Sequence, residues 1–228
     1  MGKGWKIMEL SKLNKKYNFN ASGVCHVGAW RAKEISSYRE EFGNVPVTFI
    51  EANKRLEGHI IDNISGFTNV DYKIVAAGSQ AGTGSISLDK SYGRKGQSSS
   101  LLKPKGHLKR YPRIKFDSPV PVQIRPLDEI MEGKPFNFLN IDVQGYELEV
   151  LRGAVKCLEN VYYIIVEVNR GELYEGCPMV EEIDDFLCAF GFSRVETEWR
   201  HNREKWGDAL YIRKENESQC NNTNVQQI

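Results

Sequence analysis

Two residues set the first chemical expectation. Gly28 follows the apolar run Val24-Cys25-His26-Val27 and precedes a helical pattern. Glu51 lies 23 residues on, at the end of the next apolar run. In an open parallel sheet, ligands bind beyond the carboxyl ends of the strands, and a carboxylate at the second strand end can accept both hydroxyl protons of a ribose. A small residue at the first strand end lets a ligand approach the backbone. Together they point to a nucleoside-containing cofactor; the competing reading is a tight turn at Gly28 and a solvated acid at Glu51. The GxGxxG fingerprint of a phosphate-binding turn is absent, since Trp30 stands where its second glycine would sit. A cofactor with a ribose and an adenine but no phosphates fits such a turn better, and S-adenosylmethionine is that cofactor.

A sharper pattern is Phe138-Leu139-Asn140-Ile141-Asp142-Val143-Gln144-Gly145-Tyr146-Glu147. An apolar strand here delivers Asp, Gln and Glu to one turn and to the first turn of a helix. Acids near a helix N-terminus gain from its dipole, so capping accounts for part of this. Three polar groups at one strand end, beside the proposed cofactor turn, exceed what capping requires.

These groups need a scaffold. An amphipathic helix is expected from Trp5 to about Tyr17, and helices over 31–42 and 53–64. One helix carries Leu148, Leu151, Val155 and Leu158 in line, and another, with Pro178 at its first position, buries Val180, Ile183, Phe186, Leu187 and Phe190 and stops at Gly191. Apolar strands are expected at Gly23–Gly28, Val45–Ile50, Val70–Ala77, Phe136–Ile141 and Val161–Val168, with two more near Gly84–Leu88 and Val120–Arg125. Two last strands, Phe192–Glu198 and Asp208–Ile212, have no helix between them and predict an antiparallel hairpin at one edge. Alternating helices and continuous apolar strands mean an α/β fold, a doubly wound, mostly parallel sheet of seven strands covered on both faces. The chain divides into an N-terminal helical segment over 1–20, a domain over 21–213 with a basic loop insertion at about 84–126, and a polar tail over 214–228 expected to be disordered.

Composition narrows the classes. The 228 residues carry 31 Lys plus Arg against 30 Asp plus Glu, a net charge of +1, so a globally basic nucleic-acid binder is not indicated. No apolar run approaches ~18 residues, so no transmembrane helix is expected, and no apolar signal core follows the N-terminus. Five cysteines, none spaced as CxxC, argue against a disulfide framework or a structural zinc site and for a cytoplasmic setting. The charge is uneven along the chain. Residues 90–116 hold nine Lys or Arg and no acid, while 128–185 hold fourteen acids against four bases. The basic stretch is rich in Gly, Ser and Pro and reads as a long loop, either plain solvated surface or an anion-attracting lid.

With these motifs in place the chain resembles the FkbM-type S-adenosylmethionine-dependent methyltransferases. The residues that carry the likeness are His26-Val27-Gly28-Ala29 with Glu34 and Tyr38, Phe49-Ile50-Glu51-Ala52-Asn53, Ala76-Ala77-Gly78, Ser98-Ser99-Ser100-Leu101-Leu102 and Leu127-Asp128-Glu129-Ile130. To these belong Ile141-Asp142-Val143-Gln144-Gly145-Tyr146-Glu147 with Val150-Leu151-Arg152-Gly153-Ala154, and Ile165-Val166-Glu167-Val168. Coverage runs from about 22 to 212, and the Asp-Val-Gln-Gly block is the specific part. The first motif departs from the commoner methyltransferase pattern: it has one Gly, and His26 stands where an acid is frequent.

The resemblance implies a Rossmann-like class I methyltransferase that O-methylates a sugar, glycan or natural-product hydroxyl. A protonated alcohol is a poor nucleophile, so a base or a metal must assist. Asp142 is the first candidate, Glu167 the second and His107, on the basic loop, the third. Asp142 and Glu167 sharing a divalent cation such as magnesium is the alternative. Cofactor contacts are expected from His26, Gly28, Ala29, Glu51, Ala52, Asn53, Ala77 and Gln144. Acceptor contacts are expected from Ser99, Ser100 and Lys103, favouring an anionic small molecule or glycan. Two other classes stay open: a nicotinamide-dependent oxidoreductase on the same sheet, and a non-catalytic module binding RNA or anions through residues 90–116. No nucleic-acid partner is expected under the first reading. The acceptor's identity and the oligomeric state stay open at this point.

Overall fold

The computed structural model describes residues 8–90, 96–200 and 205–214. Residues 1–7 of the expected N-terminal segment, Arg94 and Lys95 of the basic stretch, and the tail from 215 lie outside the described residues. In chain order the elements are α1 (Leu10–Tyr17), β1 (Val24–Val27), α2 (Ile35–Phe42), β2 (Val47–Glu51), α3 (Glu57–Ile64), β3 (Val70–Ile74), β4 (Ala76–Ala77), β5 (Gly82–Ile86), α4 (Gly106–Arg110), β6 (Val120–Arg125), α5 (Leu127–Ile130), β7 (Phe138–Ile141), α6 (Glu147–Arg152), α7 (Val155–Leu158), β8 (Tyr163–Asn169), α8 (Val180–Ala189), β9 (Phe192–Trp199) and β10 (Trp206–Arg213).

Seven strands form the main sheet in the order β3-β2-β1-β7-β8-β10-β9. The first five run parallel; β10 lies antiparallel between β8 and the edge strand β9. The central strands are mostly apolar because both faces are covered. Cys25, Val27, Leu139, Ile141, Ile164 and Val166 face one core with Leu151, Ile183 and Leu187. Val24, Phe138, Ile165 and Leu210 face the other with Ile35, Tyr38 and Ile60. The side-chain period of two sends neighbouring residues of each strand into opposite cores.

Several boundaries move for local reasons. The helix expected over 31–42 starts only at Ile35, because Trp30 and Ala32 have φ of 48° and 53°, a left-handed backbone that an α-helix does not contain. The helix expected to carry Leu148 through Leu158 is two, α6 and α7, parted at Gly153. A Cβ there would lie 2.0 Å from the Gly78 carbonyl oxygen, and Val155, expected on the buried face, is 42% exposed. Pro178 precedes α8, whose N-cap is Met179, and does not open it.

The expected basic loop is folded. Strands β4, β6 and β5 make a second sheet in that order, and bridges join Ser87 to Ser100, Asp89 to Phe116 and Pro104 to Tyr174. Gly84 serves close packing: a Cβ would lie 2.6 Å from Ile124 Cδ1. Part of the positive charge is neutralised, with Lys90 3.2 Å from Asp117 and Lys105 2.7 Å from Glu172. Among the described residues no helix is long and apolar enough to cross a membrane.

Candidate active site

The chain proceeds from β1 outward through β2 and β3, then returns to β7 on the other side of β1. The strand order therefore reverses between β1 and β7, the place where an α/β sheet opens a crevice. Register puts Val27 level with Ile50 and with Ile141, and Ile141 level with Val166. Gly28, Glu51, Asp142 and Glu167 thus follow at one level across four adjacent strands. All four line one cavity of about 670 Å³.

Gly28 is required by the chain itself. Its φ is 85°, and a Cβ would stand 1.8 Å from the Asp142 carbonyl oxygen. The Gly28 and Ala29 N–H groups donate to the Ile50 carbonyl at 2.9 and 3.1 Å, tying the turn to β2. Glu51 completes the tie: its Oε2 accepts the Trp30 N–H at 2.7 Å and its Oε1 the Asn53 N–H at 2.8 Å. Burial raises its pKa to about 7 against the pull of these donors, and the charge of Asp142 adds to the rise. Ala29, Ala52 and Ala77 line the cavity with small side chains.

The Asp-Val-Gln-Gly block divides its labour. Gln144, at φ 57°, reaches Asp142 Oδ1 at 2.7 Å and Glu167 Oε2 at 2.9 Å with the same amide nitrogen. Its Oε1 accepts from the Tyr174 hydroxyl at 3.1 Å. Burial raises the pKa of Asp142, opposed by its hydrogen bonds to Gln144 and Glu167 and by the charge of Arg200. Burial, then the charges of Asp142, Glu147 and Asp208, put Glu167 well above the carboxylate range. Burial thus raises both members of this hydrogen-bonded pair of acids. Glu147 turns away from the cavity: its Oε1 accepts the Val143 and Gly145 N–H groups at 3.2 and 2.9 Å and fixes the turn.

The Gln144 amide donates to both Asp142 and Glu167. Among the described residues no group of three or more His, Cys, Asp or Glu is arranged to hold a metal ion.

Of four further expected contacts, His26 reaches the cavity edge and Asn53, Ser100 and Lys103 lie outside its lining. His26 borders the cavity, but its Nδ1 lies 3.1 Å from the Tyr38 hydroxyl, which also accepts from Asn140 at 2.8 Å. Burial holds this imidazole near a pKa of about 3, and it is a core histidine. Asn53 lies outside the cavity lining; its Oδ1 accepts the Arg55 N–H at 3.1 Å and caps a short helical turn. Ser100 is fully buried, donates to the Gln144 carbonyl at 2.7 Å, and anchors the insertion to the central turn. Lys103 is exposed and away from the cavity. Ser99 does line the cavity, where its Oγ accepts the Asp89 N–H at 3.0 Å.

His107 is no surface loop residue. It lies buried on α4 with ring centroids 5.0, 5.8 and 5.2 Å from Tyr111, Phe116 and Tyr174. Its Nδ1 is buried without a hydrogen-bond partner among the described residues, and burial lowers its pKa to about 4. The cavity residues that carried no assigned role in the sequence include Trp30, Glu34, Arg113 and Arg200. Arg200 has a guanidinium 3.2 Å from Asp208, an acid inside an apolar strand whose pKa burial raises to about 7. An acid at such a core position is the signal that would have found the pair.

Comparison with known proteins fits this geometry. The chain is 34% identical over 96 residues to the 2-O-methyltransferase NoeI of Sinorhizobium fredii, covering 41% of this chain and 40% of that protein. It is 44% identical over 48 residues to the hexuronic acid methyltransferase AglP of Haloferax volcanii, covering 19% and 20%. The aligned stretches thus span less than half of either relative. In fold it is similar to the N-methyltransferase NodS of Bradyrhizobium japonicum, with a TM-score of 0.52 at 10% identity over 90% of this chain and 93% of that one. It is also similar to the magnesium protoporphyrin IX methyltransferase of Synechocystis, with a TM-score of 0.51 at 11% identity over 90% and 76%. These likenesses establish the class I methyltransferase sheet. Residues 27–194, well over half of the chain, match the methyltransferase FkbM domain, and the protein belongs to that family.

Proposed function

We propose that this protein moves a methyl group from S-adenosylmethionine to a hydroxyl of a sugar. One observation carries the reading: Gly28, Glu51, Asp142 and Glu167 stand at one level across four adjacent strands and border a single cavity. The bound cofactor supplies a sulfonium methyl that is already electrophilic, so the chain has to align donor and acceptor and remove a proton. Glu51 holds the ribose: a carboxylate accepts at about four lone-pair sites, and two backbone donors occupy only part of that capacity. Ala52 and Ala77 leave room for a flat base beside it. Asp142 takes the hydroxyl proton as the oxygen–methyl bond forms and the sulfur–methyl bond breaks, leaving a neutral thioether. Gln144 fixes the Asp142 carboxylate in place. His107, neutral and facing the cavity from the insertion, is the second group able to accept that proton.

The name of NoeI supports transfer to an oxygen, and that of AglP supports a sugar-acid acceptor. Ser99 and Arg113 line the insertion side of the cavity and take over the acceptor role first assigned to Ser100 and Lys103. Arg113 there favours an anionic sugar.

Calorimetry with S-adenosylhomocysteine and with NAD tests the reading. The wild type should bind S-adenosylhomocysteine and not NAD. Glu51→Ala should weaken that binding at least about tenfold, the scale of lost charge-assisted hydrogen bonds. Uptake of NAD but not of S-adenosylhomocysteine would overturn it in favour of an oxidoreductase.

A further inference from the structure

Glu34 lines the same cavity from the start of α2. Its Oε2 is buried and has no hydrogen-bond partner among the described residues. A buried carboxylate is costly unless a cation or a donor completes it. Its chain neighbour Lys33 does not do so through a close contact: that ammonium stands over the Trp30 ring, 5.5 Å from the centroid. Burial raises the Glu34 pKa to about 7, opposed by a hydrogen bond from its own backbone N–H and by the charge of Lys33 and helped by the charge of Asp142. Glu34 thus keeps one carboxyl oxygen unsatisfied and feels the charge of the proposed base.

The occupant follows from the path a ligand must take. With its ribose on Glu51 and its reactive methyl facing Asp142, the cofactor has to pass over the Gly28 turn. Its amino-acid end then lies on the Asp142 side, where Glu34 stands. His26, which lines the cavity from β1, is neutral and bonded to Tyr38, so β1 itself offers no anion. Glu34, Glu51 and Asp142 together make a field that favours a cationic group over a sugar hydroxyl.

We propose that Glu34 binds the α-ammonium group of the cofactor's methionine portion. This rests on the cofactor reading above. The test compares S-adenosylhomocysteine with its desamino analogue, which keeps the adenosine, the sulfur and the carboxylate. Calorimetry is run with the wild type and with Glu34→Gln. The wild type should prefer S-adenosylhomocysteine by about tenfold or more, and Glu34→Gln should bring the two affinities within about twofold of each other. Because the readout is a ratio within one protein, general loss of affinity does not mimic it, and Glu34→Ala should give the same ratio. An undiminished preference in both variants overturns the proposal. Failure of the wild type to bind S-adenosylhomocysteine at all overturns the cofactor reading, and it shows in the wild-type arm alone.

Discussion

The carboxylate of Glu51 accepts the backbone N–H of Trp30 at 2.7 Å. The acid placed to grip a ribose therefore also holds the turn that floors the cavity, a turn whose Trp30 backbone takes the left-handed conformation at φ 48°. Such a residue persists only where its surroundings fix it. Binding and folding share one side chain here.

Removing that side chain should loosen the turn locally. In Glu51→Ala the amides of Trp30 and Asn53 lose their acceptor, worth roughly 1–1.5 kcal/mol each. Their hydrogen exchange should quicken by about tenfold, while amides of β7 and β8 keep their protection. Unchanged exchange at both amides would show that the carboxylate does not hold the turn.

Asp142→Asn should separate chemistry from binding. The amide keeps the shape but cannot take a proton, so kcat should fall by about 10²–10⁴-fold with little change in S-adenosylhomocysteine affinity. A comparable loss in His107→Gln with Asp142→Asn still active would move the base to the insertion.

The unsatisfied carboxyl of Glu34 predicts a pH-dependent cost. Its pKa rises from 4.5 to about 7 on folding, so between these values the folded chain keeps a proton that the unfolded chain has released. Stability from this group is present below pH 4.5 and lost as pH rises through 7. Glu34→Gln should unfold at nearly the wild-type temperature at pH 4.5 and at a higher temperature than the wild type at pH 8, without ligand. An equal difference at both pH values would show that Glu34 is already paired.

The sheet was legible because its central strands are buried on both faces and read as mostly apolar runs. Gly28, Glu51, Asp142, Gln144 and Glu167 were legible for the same reason, since each follows or ends such a run and position alone puts it at the crevice. The side-chain directions of His26 and Asn53 were not legible, because the strand face and the turn decide where a side chain goes. His26 faces Tyr38, and Asn53 turns back to cap its own helical turn. The insertion was read as a loop because glycine, serine and proline hide a small sheet whose strands need glycines for close packing. Burial of His107 and Ser100 follows from that sheet. Glu34 gained no role because its approach to the cavity depends on the backbone at Trp30 and Ala32, which no periodicity reveals.

The most direct test is a crystal structure of the complex with S-adenosylhomocysteine. Both ribose hydroxyls should lie within hydrogen-bond distance of Glu51, about 2.5–3.0 Å, with the sulfur on the Asp142 side of Gly28. A ribose held away from Glu51, or a ligand seated outside this crevice, would contradict the account.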